Sequence, residues 1–261
     1  MRAELPNEPR LGPPVPVVPG GVRASRDRRY GDLGGRSTFV IVMLAISALA
    51  EVMVMAFTLA EVSLIDAAGS GSSATMTDIY ANYDRLATWE GLHLVALIVT
   101  VVAWCVWQHR AQRNLTALGQ AGLDYSPRWA VGWWFVPFAN LVKPFQTVRE
   151  LWKASGRDAR PWRAIPTPPL IGWWWATWIL SGVIDAFSGT RNETTPLSTI
   201  RAGDVASLIA SVIAIACAFL AVTIVRQVRR RQADRATWYA GDAGPVAIPA
   251  PPIPPPPAPL P

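Results

Sequence analysis

Six ionisable side chains stand where an apolar chain has little reason to place them: Glu51, Glu61, Glu90, His93, Asp185 and Asp204. Glu90 and His93 are three apart, the Glu-x-x-His spacing with which helical bundles hold paired metal ions. Such a centre needs two of these pairs, and the only other histidine, His109, lies at the opposite end of the same apolar stretch. A di-metal oxidase is therefore not expected, and a single divalent ion on His93 and neighbouring carboxylates is the metal option left. A proton or cation route is the other chemistry these groups allow, because burial and mutual proximity move Glu and His titration across the range in which cells live. No nucleophile–His–acid set, phosphate-cradling glycine loop or paired-cysteine zinc pattern accompanies them. The two cysteines, Cys105 and Cys217, fall inside apolar runs and read as small hydrophobes. The sequence thus predicts no cofactor, no resident metal and no enzyme.

The elements that must position these residues are apolar runs at about 39–60, 88–108, 170–188 and 205–225. Each is long enough to cross a hydrocarbon core about 30 Å thick as helix, which takes roughly 17–25 residues. The fold class expected is all-α, a polytopic membrane protein with four transmembrane helices. Arg36 followed by an apolar run and Ala48-Leu49-Ala50 mimics a signal peptide, but the run continues to Leu59, so it reads as a retained helix. The membrane domain is placed at 37–235. Residues 1–36 hold six prolines and no apolar period, and ten of the seventeen residues from Pro245 to Pro261 are proline. Both ends, 1–36 and 236–261, are expected to be disordered cytoplasmic tails.

Polar side chains gather on one stripe of each predicted helix. Ser47, Glu51, Thr58 and Glu61 share the first, while Glu90, His93, Thr100 and Trp104 share the second. Thr177, Ser181 and Asp185 align on the third, and Asp204, Ser207 and Ser211 on the fourth. An ionisable group at mid-membrane costs at least ~2.5–3.5 kcal/mol, so these stripes are expected to face the bundle interior. Local readings come first for several: Asp204 as an N-cap of the fourth helix, Glu61 and Glu90 as groups reaching the outer water. Glu51, near mid-membrane, is either a functional acid or one hydrogen-bonded between helices. Ala202, Ala206, Ala210, Ala214 and Ala218 recur every four residues, a spacing that lets neighbouring backbones approach.

The net charge of +6 would suggest nucleic acid in a soluble protein, but its distribution follows a topology rule. Arginine and lysine crowd the N-terminal segment, 110–163 and 226–235, whereas the two other loops hold only Arg85, Arg191 and Arg201. Cytoplasmic loops carry that excess, so both termini are expected inside. The partners implied are anionic lipid at the cytoplasmic face, at about 1 kcal/mol per basic residue, and a protein bound through the basic loops or Pro-rich tails. No nucleic acid is expected. The scarcity of lysine, present only as Lys143 and Lys153, suggests a GC-rich bacterial genome and hence a bacterial cytoplasmic membrane.

Between the second and third spans, 130–142 is apolar but too short to cross, and Pro137 should kink or break it. Leu141, Phe145, Val148, Leu151 and Trp152 then fall on one helical face opposite Lys143, Gln146, Arg149, Glu150 and Lys153. A kinked re-entrant segment leading into an interfacial amphipathic helix, 130–155 in all, is the expectation. Trp133-Trp134-Phe135-x-Pro137-x-x-Asn140-x-x-x-Pro144, with Glu150, Leu151 and Trp152 after it, resembles the signature of the domain-of-unknown-function family 4328. Trp107-x-His109-Arg110-Ala111-x-Arg113-Asn114 and Ser126-Pro127-x-Trp129 are similar to the same family. The resemblance implies a four-helix membrane protein, chiefly of actinobacteria, and carries no activity or catalytic residue. The functional expectation is a non-enzymatic interaction or scaffold component of the membrane. The alternative is a small transporter or proton/cation conduit using the acidic half of the bundle.

Overall fold

The structure, a computed structural model, describes residues 30–70, 76–158, 161–188 and 195–242. Among these there are helices and turns but no strand. Four helices, α1 (Gly34–Gly69), α2 (Met76–Ala117), α5 (Pro169–Phe187) and α6 (Leu197–Asp242), are long and apolar enough to cross a membrane. At about 1.5 Å rise per residue α5 reaches just under 30 Å, while the other three overshoot the bilayer. Three of the expected spans are thus the middles of longer rods, and the one at 170–188 coincides with α5. Two short helices, α3 (Pro127–Gly132) and α4 (Lys143–Ala154), lie between α2 and α5 with 3-10 turns at Trp133–Phe135, Ala139–Leu141 and Trp162–Ala164.

Helix ends follow local chemistry. At the close of α2, Gly119 takes φ 72° and the Gln120 N–H donates to the Leu115 carbonyl at 2.9 Å, a Schellman cap on the glycine the sequence marks as a stop. Ser126 caps α3 by accepting from the Trp129 N–H, with Pro127 in the first turn, where it has no amide to leave unsatisfied. Prolines open α4 and α5 in the same way. At Pro137 the chain breaks in a γ-turn: the Ala139 N–H donates to the Pro137 carbonyl at 2.7 Å, with Phe138 held at φ 61°.

Around the bundle the order is α2, α1, α6, α5, each packed on the next. The α2 and α5 rods close no fourth seam along their length and meet mainly through tryptophan rings at one end. That end is also the basic one, and the main core lies there: Trp107, Leu115, Leu151, Ile171 and Ile224 are all buried within it. At the far end Arg201 on α6 grips Asp66 on α1 with two hydrogen bonds. Outward faces of the rods are bare hydrocarbon, such as Leu94, Val95, Val102 and Phe219, as lipid contact requires.

Leu33, ahead of residue 37, is fully buried and α1 starts at Gly34, while α6 runs past 235 to Asp242. The tails at 1–29 and 243–261, together with residues 71–75, 159–160 and 189–194, lie outside the described residues. Helix α4 is amphipathic, but its apolar stripe meets protein: Val148 and Leu151 are fully buried in the core beside Ile224 and Val228. On its other face Glu150 and Lys153 are buried as well, because loop 118–130 and segment 161–165 fold over them.

Candidate functional site

Two polar centres emerge, one in the membrane half of the bundle and one at its basic end. In the first, Glu51 on α1 places Oε2 3.0 Å from His93 Nδ1 on α2, with Ser211 on α6 beside the Glu51 carboxylate. One turn toward the basic end, the hydroxyls of Ser47 and Thr100 meet at 2.8 Å, joining the same two helices. Asp185 on α5 faces the same space from the opposite wall. Glu51, His93 and Asp185 line one end of a half-open cavity of about 590 Å³ between α1, α2, α5 and α6. Its other end is a tryptophan floor: Trp104 and Trp174 stack with centroids 5.6 Å apart, and Trp134 sets its ring edge-on against both.

The predicted polar layer therefore divides. Glu51, His93 and Asp185 come together. Glu90, exposed on α2, and the pair Glu61 and Asp204 do not join them. Glu61 is 3 % exposed, so it does not reach free water. Asp204 is fully buried and sits two turns inside α6, which starts at Leu197, so it is not the N-cap. Both are buried within the bundle instead. Among the described residues no group of three His, Cys, Asp or Glu is close enough to hold a metal ion.

The second centre consists of amides, of which the sequence motifs held only Asn114. Gln108 Oε1 accepts from the indoles of Trp104 and Trp134 at 3.0 and 2.9 Å, while Nε2 donates to Thr147 Oγ1 and the Ala130 carbonyl. Gln112 Nε2 donates to Glu150 Oε1 at 2.6 Å and to the Tyr125 carbonyl. Asn114 pairs with both backbone groups of Gly31 and donates to Gln232 Oε1, whose amide donates to the Ala111 carbonyl and Ser155 Oγ. Four segments distant in sequence are thereby tied at one level. The one sequence signal was that Gln108 and Gln112 lie four apart, on the face of α2 that Trp104 and Leu115 also occupy.

Of the motif residues Trp133, Trp134, Pro137, Asn140, Pro144, Glu150, Leu151 and Trp152, Trp134 and Glu150 bond directly to this second centre. Trp134 feeds Gln108, while Trp133 stacks on Trp129 and lies under Lys143. Pro137 makes the γ-turn, and the Asn140 N–H returns to Val136 to begin the next turn. Pro144 is buried in the first turn of α4, and Leu151 fills the core. Trp152 donates to Gln227 at 2.7 Å beneath the Arg231 guanidinium. Glu150, 2 % exposed, accepts from the Asp124 N–H at 2.6 Å as well as from Gln112. Burial pushes its carboxyl above the ordinary value, and these hydrogen bonds pull the other way. Burial likewise lowers Lys153, whose Nζ donates to the Arg163 carbonyl.

Residues 71–230 match the family described as domain of unknown function, DUF4328. The chain belongs to that family. The match starts after α1, so the DUF4328 region comprises α2 to most of α6, and Glu51 reaches the cavity from a helix outside it. No curated protein and no solved structure matches the chain. In this DUF4328 member the motif is an architectural joint that locks α3 and α4 onto the ends of α2 and α6.

Proposed function

We propose that this multi-pass protein is a non-enzymatic interaction component of a bacterial cytoplasmic membrane, with both termini inside. The observation that carries the reading is the rigidity of the basic end. Loops there are tied to the helices by buried amides, and Arg128, Arg149, Arg163, Arg226, Arg229 and Arg230 project from them. A fixed array of guanidinium groups suits anionic headgroups and an acidic protein surface, because arginine binds carboxylate and phosphate in a preset fork. Cross-linking in native membranes tests it. Wild type should yield the same cross-linked protein in every preparation, and the triple change Arg226, Arg229 and Arg230→Gln should lose it while inserting normally. Recovery of no reproducible partner, or an unchanged one in the variant, overturns the reading.

The contact between Glu51 and His93 favours a second reading, a proton or cation conduit. Against it, the tryptophan floor fills the path from the cavity toward the basic end. Flux in proteoliposomes separates the two: no flux under any cation or pH gradient removes the conduit, and flux abolished by Glu51→Gln replaces the scaffold.

A further inference from the structure

The geometry points to a binding site, reached sideways from the bilayer between α2 and α5, for an organic cation with an apolar tail. The inference goes beyond a scaffold role and does not depend on it.

Size comes first. About 590 Å³ lies within the range of pockets that hold small molecules, roughly 300–1,000 Å³. From the Trp104 layer to the His93 layer the cavity follows eleven residues of α2, about 16 Å at 1.5 Å per residue. The shape is an elongated slot. Small residues make the room: Ala48, Gly182, Ala214 and Ala218 stand where larger side chains would close the seam.

Chemistry is uneven along the slot. Most of the wall is aliphatic or aromatic, and the ionisable groups sit together at one end. Glu51 and Asp185 bring two carboxylates, and His93 can offset only one of them even when protonated. Among the described residues neither lysine nor arginine lines the cavity. An anion or a phospholipid phosphate would find no cationic partner there, whereas an amine or quaternary ammonium head would complement the acidic excess. A bare metal ion is a poor fit, since the groups are too dispersed to coordinate one.

Access is lateral. Leu97 and Val101 on α2 and Val183 and Phe187 on α5 line the cavity and are exposed, Phe187 at 85 %. The cavity is half open, and these residues flank the seam that α2 and α5 leave unpacked. In a bilayer that seam faces hydrocarbon, so a tail can lie across it while the head reaches the carboxylates.

The test uses the full chain in phosphatidylcholine nanodiscs with radiolabelled dodecyltrimethylammonium, binding to empty discs being subtracted. Wild type should bind saturably, and neither dodecyl sulfate nor dodecyl maltoside should compete. Tetramethylammonium, which lacks the tail, should not compete either. Glu51→Gln combined with Asp185→Asn should weaken binding roughly tenfold or more. Gly182→Phe is the second variant. Gly182 lines the slot and a Cβ there meets no atom within 4 Å, so the substitution has room at the backbone, and a side chain of this size should fill the slot and abolish binding. Displacement by a two-chain trimethylammonium lipid placed in the disc would assign the natural ligand to the bilayer. Failure of that lipid alone would assign it to single-chain amphiphiles. No saturable binding above empty discs, equal competition by the sulfate or maltoside, or full binding by Gly182→Phe overturns the proposal.

Discussion

A carboxylate that leaves water needs donors, and Glu150 has them: the Asp124 and Tyr125 amides and the Gln112 side chain converge on it. Glu150→Ala removes the acceptor from all of them and should cost about 1–3 kcal/mol, the penalty for stranding buried donors. Its pH dependence has a definite sign. The folded chain keeps a proton on Glu150 above the ordinary value of 4.5, where the unfolded chain releases it. The stability this contributes is present at low pH and is lost as pH climbs from 4.5 through the raised value. Melting temperatures of the solubilised protein across that window should fall more steeply for wild type than for Glu150→Gln, which cannot titrate. Parallel profiles would contradict the burial argument. The residue was legible as part of a motif, but its role was not: in sequence it occupies the polar face of α4, and only the loop at 124–125 folding over it makes that face interior.

Helix boundaries are where elements are most exposed to single changes. Gly119 ends α2 at φ 72°, a conformation in which a Cβ is strained. Gly119→Ala should destabilise by about 1 kcal/mol and loosen the turn that carries the chain toward α3. Gly35→Ala makes the control. It lies in the first turn of α1 with open space around its Cβ, so the change should be neutral or mildly stabilising. Thermal unfolding of the two variants under one condition checks the contrast, and equal shifts would show that the cap is dispensable. Element existence was readable because apolar length and Gly or Pro punctuation are local properties. Seating α4 was not, since an apolar stripe is the same whether it meets lipid or a neighbouring helix.

For the whole molecule, an even number of spans would place the start of α1 and the end of α6 on one side, and the arginine bias proposes that this side is the cytoplasm. Reporter fusions after Gly119 and Gly156 should read inside, and fusions after Ser70 and Ser188 outside. The opposite pattern would invert the protein and with it the reading of its basic face. A fusion after Gly156 that alone reads outside would require α3 or α4 to cross, which their lengths of 6 and 12 residues do not allow.

By itself the sequence determined the helical class, the four spans, the family and the stripes carrying Glu51, His93 and Asp185. Each of these rests on composition or on a period within one segment, and such order survives in a one-dimensional reading. Tertiary structure decided which members of a stripe meet. Glu51 and Glu61 share a face of α1, yet only Glu51 has a histidine from α2 opposite it, while Glu61 is enclosed in packing. It also decided that Gln108, Gln112, Asn114 and Gln232 are interior. Uncharged amides carry no mark of burial, and their partners lie as far as 121 residues away along the chain. The seam between α2 and α5 was invisible for the same reason: a gap depends on two helices failing to pack, and neither helix encodes that alone.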